Sequence, residues 1–193
     1  MGKQGDHQWK NVDKVFLVNG HIEKADANFV GSLSFDKIGD TKIWLGQYPQ
    51  TEKDCDKLKE AGITGIFNVQ TDIDLKHRGV NWPKMLDLYA ERGMTPVHFP
   101  IHDFNEGDLT SKLFEGAKVL NDMINNKGLN VYVHCTAGMG RAPASVLVYL
   151  CLFKKVRCWS NPTDVDKLVK SYRKVSVPNM RAVYSVVEGQ RGF

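Results

Sequence analysis

The sequence predicts an α/β domain with a central, largely parallel sheet flanked by helices, and three observations carry that expectation. From residue 43 onward, short runs of apolar and β-branched residues alternate with longer segments of helical periodicity. Cap and stop residues fall between them. One segment, Arg141–Phe153, is apolar nearly all round, as a helix packed on several sides must be.

Residues 1–40 are polar apart from Val15–Val18 and read as a loosely structured lead-in; residues 41–193 read as the domain. KIWLGQ is the first expected strand. TEKDCDKLKEAG is a helix with Thr51 as cap and Gly62 as stop. ITGIFNV reads as a buried strand, NWPKMLDLYAERG as a helix, and TPVHFPI as the next strand. A helix is expected from about Leu109 to Asn126, then the strand LNVYVH and the apolar helix RAPASVLVYLCLF. Asn161-Pro162 marks a cap and first-turn proline, and Pro178 is expected to open the last helix.

The composition narrows the function. A chain of 193 residues with 42% hydrophobic and 25% charged residues suits one soluble globular domain. The formal charge of +4 fits an anionic substrate, yet the basic residues are scattered, with no basic-aromatic stripe for nucleic acid. No apolar run approaches the roughly 20 residues of a membrane span. Cys55, Cys135, Cys151 and Cys158 show neither a secreted framework nor a CxxC pair, so reduced thiols and no metal or cofactor are expected. The N-terminal residues lack signal-peptide and transit-peptide character, so a complete chain is expected in the cytoplasm, and a processed one in a plastid. No pattern indicates an oligomeric state.

The segment VYVHCTAGMGRAP, residues 131–143, carries the chemistry. Its Cys-x5-Arg spacing alone is weak evidence, because Cys151 and Arg157 repeat it within CLFKKVR. That second copy is apolar, helical and free of glycine, so it reads as a core thiol. Cys135 instead follows a strand and precedes a helix, with Gly138 and Gly140 in between. Glycine allows the backbone to curl until successive N–H groups converge, and the helix N-terminus adds its partial positive charge at the same point. Thr136, Ala137, Gly138, Met139, Gly140 and Arg141 are therefore the expected phosphate cradle. The same field favours a thiolate, the nucleophilic form, at Cys135. Arg141 supplies a planar fork for two phosphate oxygens. A general acid must protonate the departing oxygen, and the loop HDFNEGD offers Asp103, Glu106 and Asp108; residue chemistry alone does not choose among them.

HCTAGMGRAP resembles the signature of the glucan-phosphatase branch of the dual-specificity phosphatases, found in plant starch-excess phosphatases and laforin. GQYPQTEKDCDKLKEAGITGIFNVQTDIDL and PIHDFN are similar to further stretches of that branch, so the resemblance runs from about Ile43 to Gly189. It implies the cysteine-phosphatase fold and a phosphorylated α-glucan as substrate; a phosphoprotein is the alternative, and a phosphate-reading module without turnover a third reading. By the same resemblance Cys135 is the nucleophile, Asp103 the acid, Asp108 a loop or capping residue, and His134 a residue that orients the loop. Phe104 becomes a sugar platform. The chain departs from the branch at Lys76-His77-Arg78 and Val177, where members hold aromatics, leaving Trp82 and Tyr48 as candidates to compensate. Ala142 stands where many cysteine phosphatases have a hydroxyl that helps the thiolate leave.

Overall fold

The computed structural model describes residues 33–154 and 161–191. The expected lead-in lies mostly outside them, as do Arg157 and Cys158. Its last part is ordered: Phe35–Lys37 forms strand β1, which pairs antiparallel with β2 (Ile43–Gly46) at the sheet edge. The other strands are β3 (Gly65–Asn68), β4 (Thr95–His98) and β5 (Val131–His134), and the order across the sheet is β1-β2-β5-β3-β4. All pairings beyond the β1 edge are parallel. Gly46 and Asn68 both lie opposite His134, and His98 lies opposite Asn68. Four strands therefore end level, and ligands of open α/β sheets gather at that edge.

The strand sequences alternate between two helical layers with the period of two that a pleated strand imposes. Ile43, Leu45, Phe67, Val131 and Val133 face a core shared with α4 (Glu106–Asn121), α5 (Arg141–Phe153), α6 (Pro162–Tyr172) and α7 (Met180–Gly189). Trp44, Ile66 and Tyr132 face Leu58 of α1 (Glu52–Glu60) and Met85, Leu88 and Tyr89 of α3 (Trp82–Glu91). In α5 every residue from Arg141 to Cys151 is buried, as expected of a helix apolar all round.

Caps explain most boundaries. Thr51 makes a capping box with Asp54, and Asn161 caps α6 with Pro162 in its first turn. Helix α4 starts three residues before the expected Leu109, because the Asn105 side chain accepts the Asp108 N–H at 2.9 Å. After Asn121 the chain continues as a π-helical turn, Asp122–Asn126. Pro178 precedes the cap rather than opening α7; Asn179 accepts the Ala182 N–H at 3.1 Å, and the helix begins at Met180. The short helix α2 (Asp72–His77) has a second capping box, Thr71 with Asp74.

The β1 edge is tight enough to test. A β-carbon on Gly46 would lie 2.5 Å from Phe35 Cβ and 2.6 Å from the Ser34 carbonyl oxygen, and would press on the Tyr132 hydroxyl. Gly46→Ala is expected to destabilise by about 1–3 kcal/mol, the usual cost of overpacking. Gly189→Ala, with nothing within 4 Å of the new carbon, should stay within about 0.5 kcal/mol. Urea midpoints of the two variants make the comparison; equal shifts would contradict the packing argument.

Candidate active site

Between β5 and α5 the chain makes a buried loop, Cys135–Gly140, at the level strand edge. Every carbonyl in it accepts a hydrogen bond from a residue outside the loop. His134 Nδ1 donates to Cys135 O at 3.3 Å, and the Tyr48 N–H donates to Thr136 O at 3.2 Å. Arg173 donates from Nη2 to Ala137 O at 3.1 Å and from Nε to Gly138 O at 2.8 Å. The Val177 N–H reaches Met139 O at 2.7 Å, and the Ala144 N–H reaches Gly140 O at 3.0 Å within α5. In a trans peptide the N–H points opposite to the C=O, so this pattern turns the amides of residues 136–140 towards a common centre. Gly138 has φ +66°, and a β-carbon there would overlap the backbone of Gly46. Only glycine fits on both counts.

Arg141, first residue of α5, is 3% exposed and carries the site's charge. Its Nη1 donates to Asp74 Oδ2 at 2.7 Å and to Ile101 O at 2.9 Å. Its Nη2 lies 3.1 Å from Asp103 Oδ2 and 3.4 Å from Thr136 Oγ1. Nε has no acceptor among the described residues, so the Nε–Nη2 edge is the fork that two phosphate oxygens would meet. Burial works against the ionised Asp74 carboxyl, but Arg141's charge and hydrogen bond, with those from Thr71, hold it below the usual carboxylate range. Asp74 thus closes a capping box and fixes the guanidinium at once.

The structure separates the three loop carboxylates. Asp103 pairs with Arg141. Glu106 accepts from Asn179 Nδ2 at 2.9 Å and pairs with Arg181. Asp108, in the first turn of α4, accepts the His102 N–H at 2.7 Å and pairs with Lys112. Next to Asp103, Phe104 has φ 54° and a side chain 74% exposed. A bulky residue held in the left-handed region beside a cleft marks backbone strain of about 1–3 kcal/mol, of the kind that gathers at functional sites. The cleft has a volume of about 420 Å³. Phe104, Leu109, Val177 and Pro178 form its apolar wall, and Asp103 and Arg141 its charged end. It reaches Gly140 and Arg141 but not Cys135, which is fully buried at the loop's start.

Two expected platform residues lie elsewhere. Tyr48 is 1% exposed, and its backbone N–H meets the loop; burial pushes its phenol well above the ordinary value, more than the nearby Arg78 lowers it. Trp82 packs on His98 and Tyr89, with ring centres 5.1 and 6.3 Å away, and does not line the cleft. Trp82 packs against the second core and Tyr48 is buried, and a sequence does not distinguish such packing area from sugar-stacking area. Cys151 is buried in α5, and burial pushes its thiol up to about 11. Two residues of the site were not foreseen. Thr71-x-x-Asp74 is a legible capping box, though nothing in it announces Arg141. Arg173 sits after α6, with no local signal.

Residues 43–191 match the family described as dual specificity phosphatase, catalytic domain. An amyloplastic phosphoglucan phosphatase of Castanea sativa is 39% identical over 108 residues, covering 55% of this chain and 28% of that protein. A chloroplastic phosphoglucan phosphatase of Arabidopsis thaliana is 32% identical over 153 residues, 76% of this chain and 25% of its own. The chain therefore spans about a quarter of the length of these relatives. The solved structure of Tk-PTP in its active form superposes with a TM-score of 0.63 at 20% identity, covering 82% of this chain and 97% of that one. It shares the fold, a central mostly parallel sheet flanked by helices.

The His134 ring gives this loop a pH signature. Burial lowers its pKa from 6.5 to about 3, with the charges of His98 and Arg141 acting in the same direction against the bond to Cys135 O. The folded state holds neutral imidazole, while the unfolded chain takes up a proton below 6.5. Stability is therefore fully present above 6.5 and falls as pH drops towards 3. His134→Asn keeps a donor for Cys135 O and removes the titration. Between pH 7 and 5, where carboxyls change little, its unfolding free energy should fall less steeply than that of the parent. Parallel slopes in denaturant titrations would show that His134 is protonated in the fold.

Proposed function

The chain belongs to the dual-specificity phosphatase family, and from that premise we propose that it removes phosphate from a phosphorylated α-glucan through a cysteinyl-phosphate intermediate. One observation carries the chemistry. The Arg141 guanidinium meets both Thr136 of the loop and Asp103 of the cleft, so nucleophile loop, clamp and acid share one charge centre. The substrate class is supported by the exposed Phe104 at that centre and by the activity named for the two plant relatives.

In this reading the phosphate dianion enters along the cleft, takes the Nε–Nη2 edge of Arg141 and displaces the Asp103 carboxylate. Displacement opens the way to the buried Cys135. The dianion then lies beside Asp103 and, as a like charge, favours the protonated carboxyl that a general acid needs. Cys135 Sγ attacks phosphorus; the S–P bond forms as the ester P–O bond breaks, and Asp103 gives its proton to the leaving sugar oxygen. Water then attacks phosphorus, Asp103 takes back a proton, and the S–P bond breaks to restore the thiolate. Ala142 offers no hydroxyl to that departing sulfur, which slows the second step. Asp74 and Ile101 O hold the far edge of the guanidinium throughout. No cofactor enters the reaction. The compartment follows the substrate: cytosol or, as for the two plant relatives, plastid.

Cys135→Ser is expected to abolish release of phosphate from aryl phosphate and phosphoglucan alike, because a serine hydroxyl is scarcely ionised near neutrality. Cys151→Ser should keep most activity. Equal losses would mean the wrong thiol has been assigned.

For the substrate, Phe104→Ala should lower kcat/KM on solubilised phosphorylated starch about fivefold, the effect of a lost aromatic contact of about 1 kcal/mol. A small aryl phosphate should be affected much less. Equal losses on both would make Phe104 a support of the Asp103 loop. Parent protein active on phosphopeptides but not on phosphoglucan would leave the phosphatase chemistry and remove the glucan.

A further inference from the structure

We propose that Arg173 is the positioning residue that sets the oxyanion affinity of the Cys135–Gly140 loop, and that Asp36, upstream of the matched family region, completes the device. The proposal rests on the phosphate-binding reading of that loop. Arg173 is 1% exposed, yet its guanidinium makes three hydrogen bonds. Nε and Nη2 bind two successive loop carbonyls, Gly138 O at 2.8 Å and Ala137 O at 3.1 Å. Nη1 pairs with Asp36 Oδ2 at 2.9 Å.

Holding those carbonyls outward orients the N–H groups of Gly138 and Met139 inward, because each shares a rigid peptide plane with the bound carbonyl. Neither could rotate without stranding a buried carbonyl and a buried arginine edge, a loss far larger than thermal energy. The following residues extend the same support. Ser176 N–H bonds back to Arg173 O at 3.0 Å, and Val177 N–H takes Met139 O. Thus three consecutive loop carbonyls, 137 to 139, are fixed by one five-residue segment.

A lysine cannot replace this arginine, since a single ammonium on a flexible stem does not present fixed donors to two carbonyls and a carboxylate together. Asp36 stands on β1, the edge strand, and neutralises the charge beneath the loop. The tie runs from sheet edge to loop across 137 residues of sequence.

Inorganic phosphate binding tests this without turnover. The parent and its Arg173→Lys, Arg173→Met and Asp36→Asn variants are titrated with phosphate by calorimetry, with the folded fraction set by circular dichroism. Arg173→Lys and Arg173→Met should bind phosphate at least tenfold more weakly per folded molecule. Asp36→Asn, half-exposed and tolerant of change, should lose about threefold and covers the case in which a buried Arg173 variant does not fold. On aryl phosphate the loss should appear in KM as well as kcat. A merely structural arginine would lower the melting temperature and leave phosphate affinity per folded molecule unchanged, and that result, in Asp36→Asn and in whichever Arg173 variants fold, overturns the proposal. Failure of the parent itself to bind phosphate would instead overturn the reading of the loop on which the proposal rests.

Discussion

A planar peptide points its N–H and C=O in opposite directions, and the site depends on that constraint more than on any side chain. To gather amides on one point, the loop after β5 must send its carbonyls outward, where a buried environment demands partners for them. The surrounding fold supplies those partners from separate elements: the His134 ring, the Tyr48 backbone after β2, Arg173 after α6, Val177 before α7, and Ala144 within α5. Gly138 lets the chain turn closely against the backbone of Gly46. The level ends of β2, β3 and β5 bring these donors within reach. The concave amide surface is thus an effect of how its convex side is satisfied.

Charge is arranged with the same economy. Arg141 and Arg173 are both almost fully buried and both touch the loop, Arg141 pairing with Asp74 and Asp103 and Arg173 with Asp36. Their tasks differ because their partners differ. Asp36 and two carbonyls leave Arg173 no free edge. Asp74 and Ile101 O secure one side of Arg141, and Asp103 holds the other at the longer distance of 3.1 Å. In the proposed reaction a carboxylate at that position competes with an incoming dianion for the same donor, so this ion pair would be the one exchanged. Asp74, bound by Thr71 as well as Arg141, is the part made to stay.

How much of this the sequence revealed follows from the range of each interaction. Local chemistry was legible: the Thr51 and Asn161 caps, the alternating strands, the all-apolar α5, and the glycines that set Cys135 apart from Cys151. Features that need a distant partner were not. Strand β1 has only three residues and takes its identity from pairing with β2. Arg173 sits in a polar stretch, SYRKVSVPN, where an arginine is ordinarily solvated; its role exists only because the loop lies 35 residues away in sequence and in contact in space. Tyr48 and Trp82 show the converse, since aromatic area suits a sugar ring or a core equally well until burial decides.

The cleft sets a limit on how substrates can be told apart. In the proposed function, loop amides and Arg141 would address the phosphate, which every phosphomonoester carries, so discrimination would have to come from the wall beyond. Among the described residues, that wall holds Phe104 with Leu109, Val177 and Pro178. Val177 belongs to the segment that fixes Met139 O, and Phe104 adjoins the carboxyl that meets Arg141. Phe104 and Val177 are therefore each one covalent step or one hydrogen bond from Asp103 or from the Cys135–Gly140 loop. In the proposed reaction, a ring packed against this wall would press on these two segments, and binding energy far from phosphorus would reach the chemical step that way. In the glucan reading, with Phe104 the one Phe, Tyr or Trp among the described residues of this wall, selectivity would be expressed through that coupling more than through contact area.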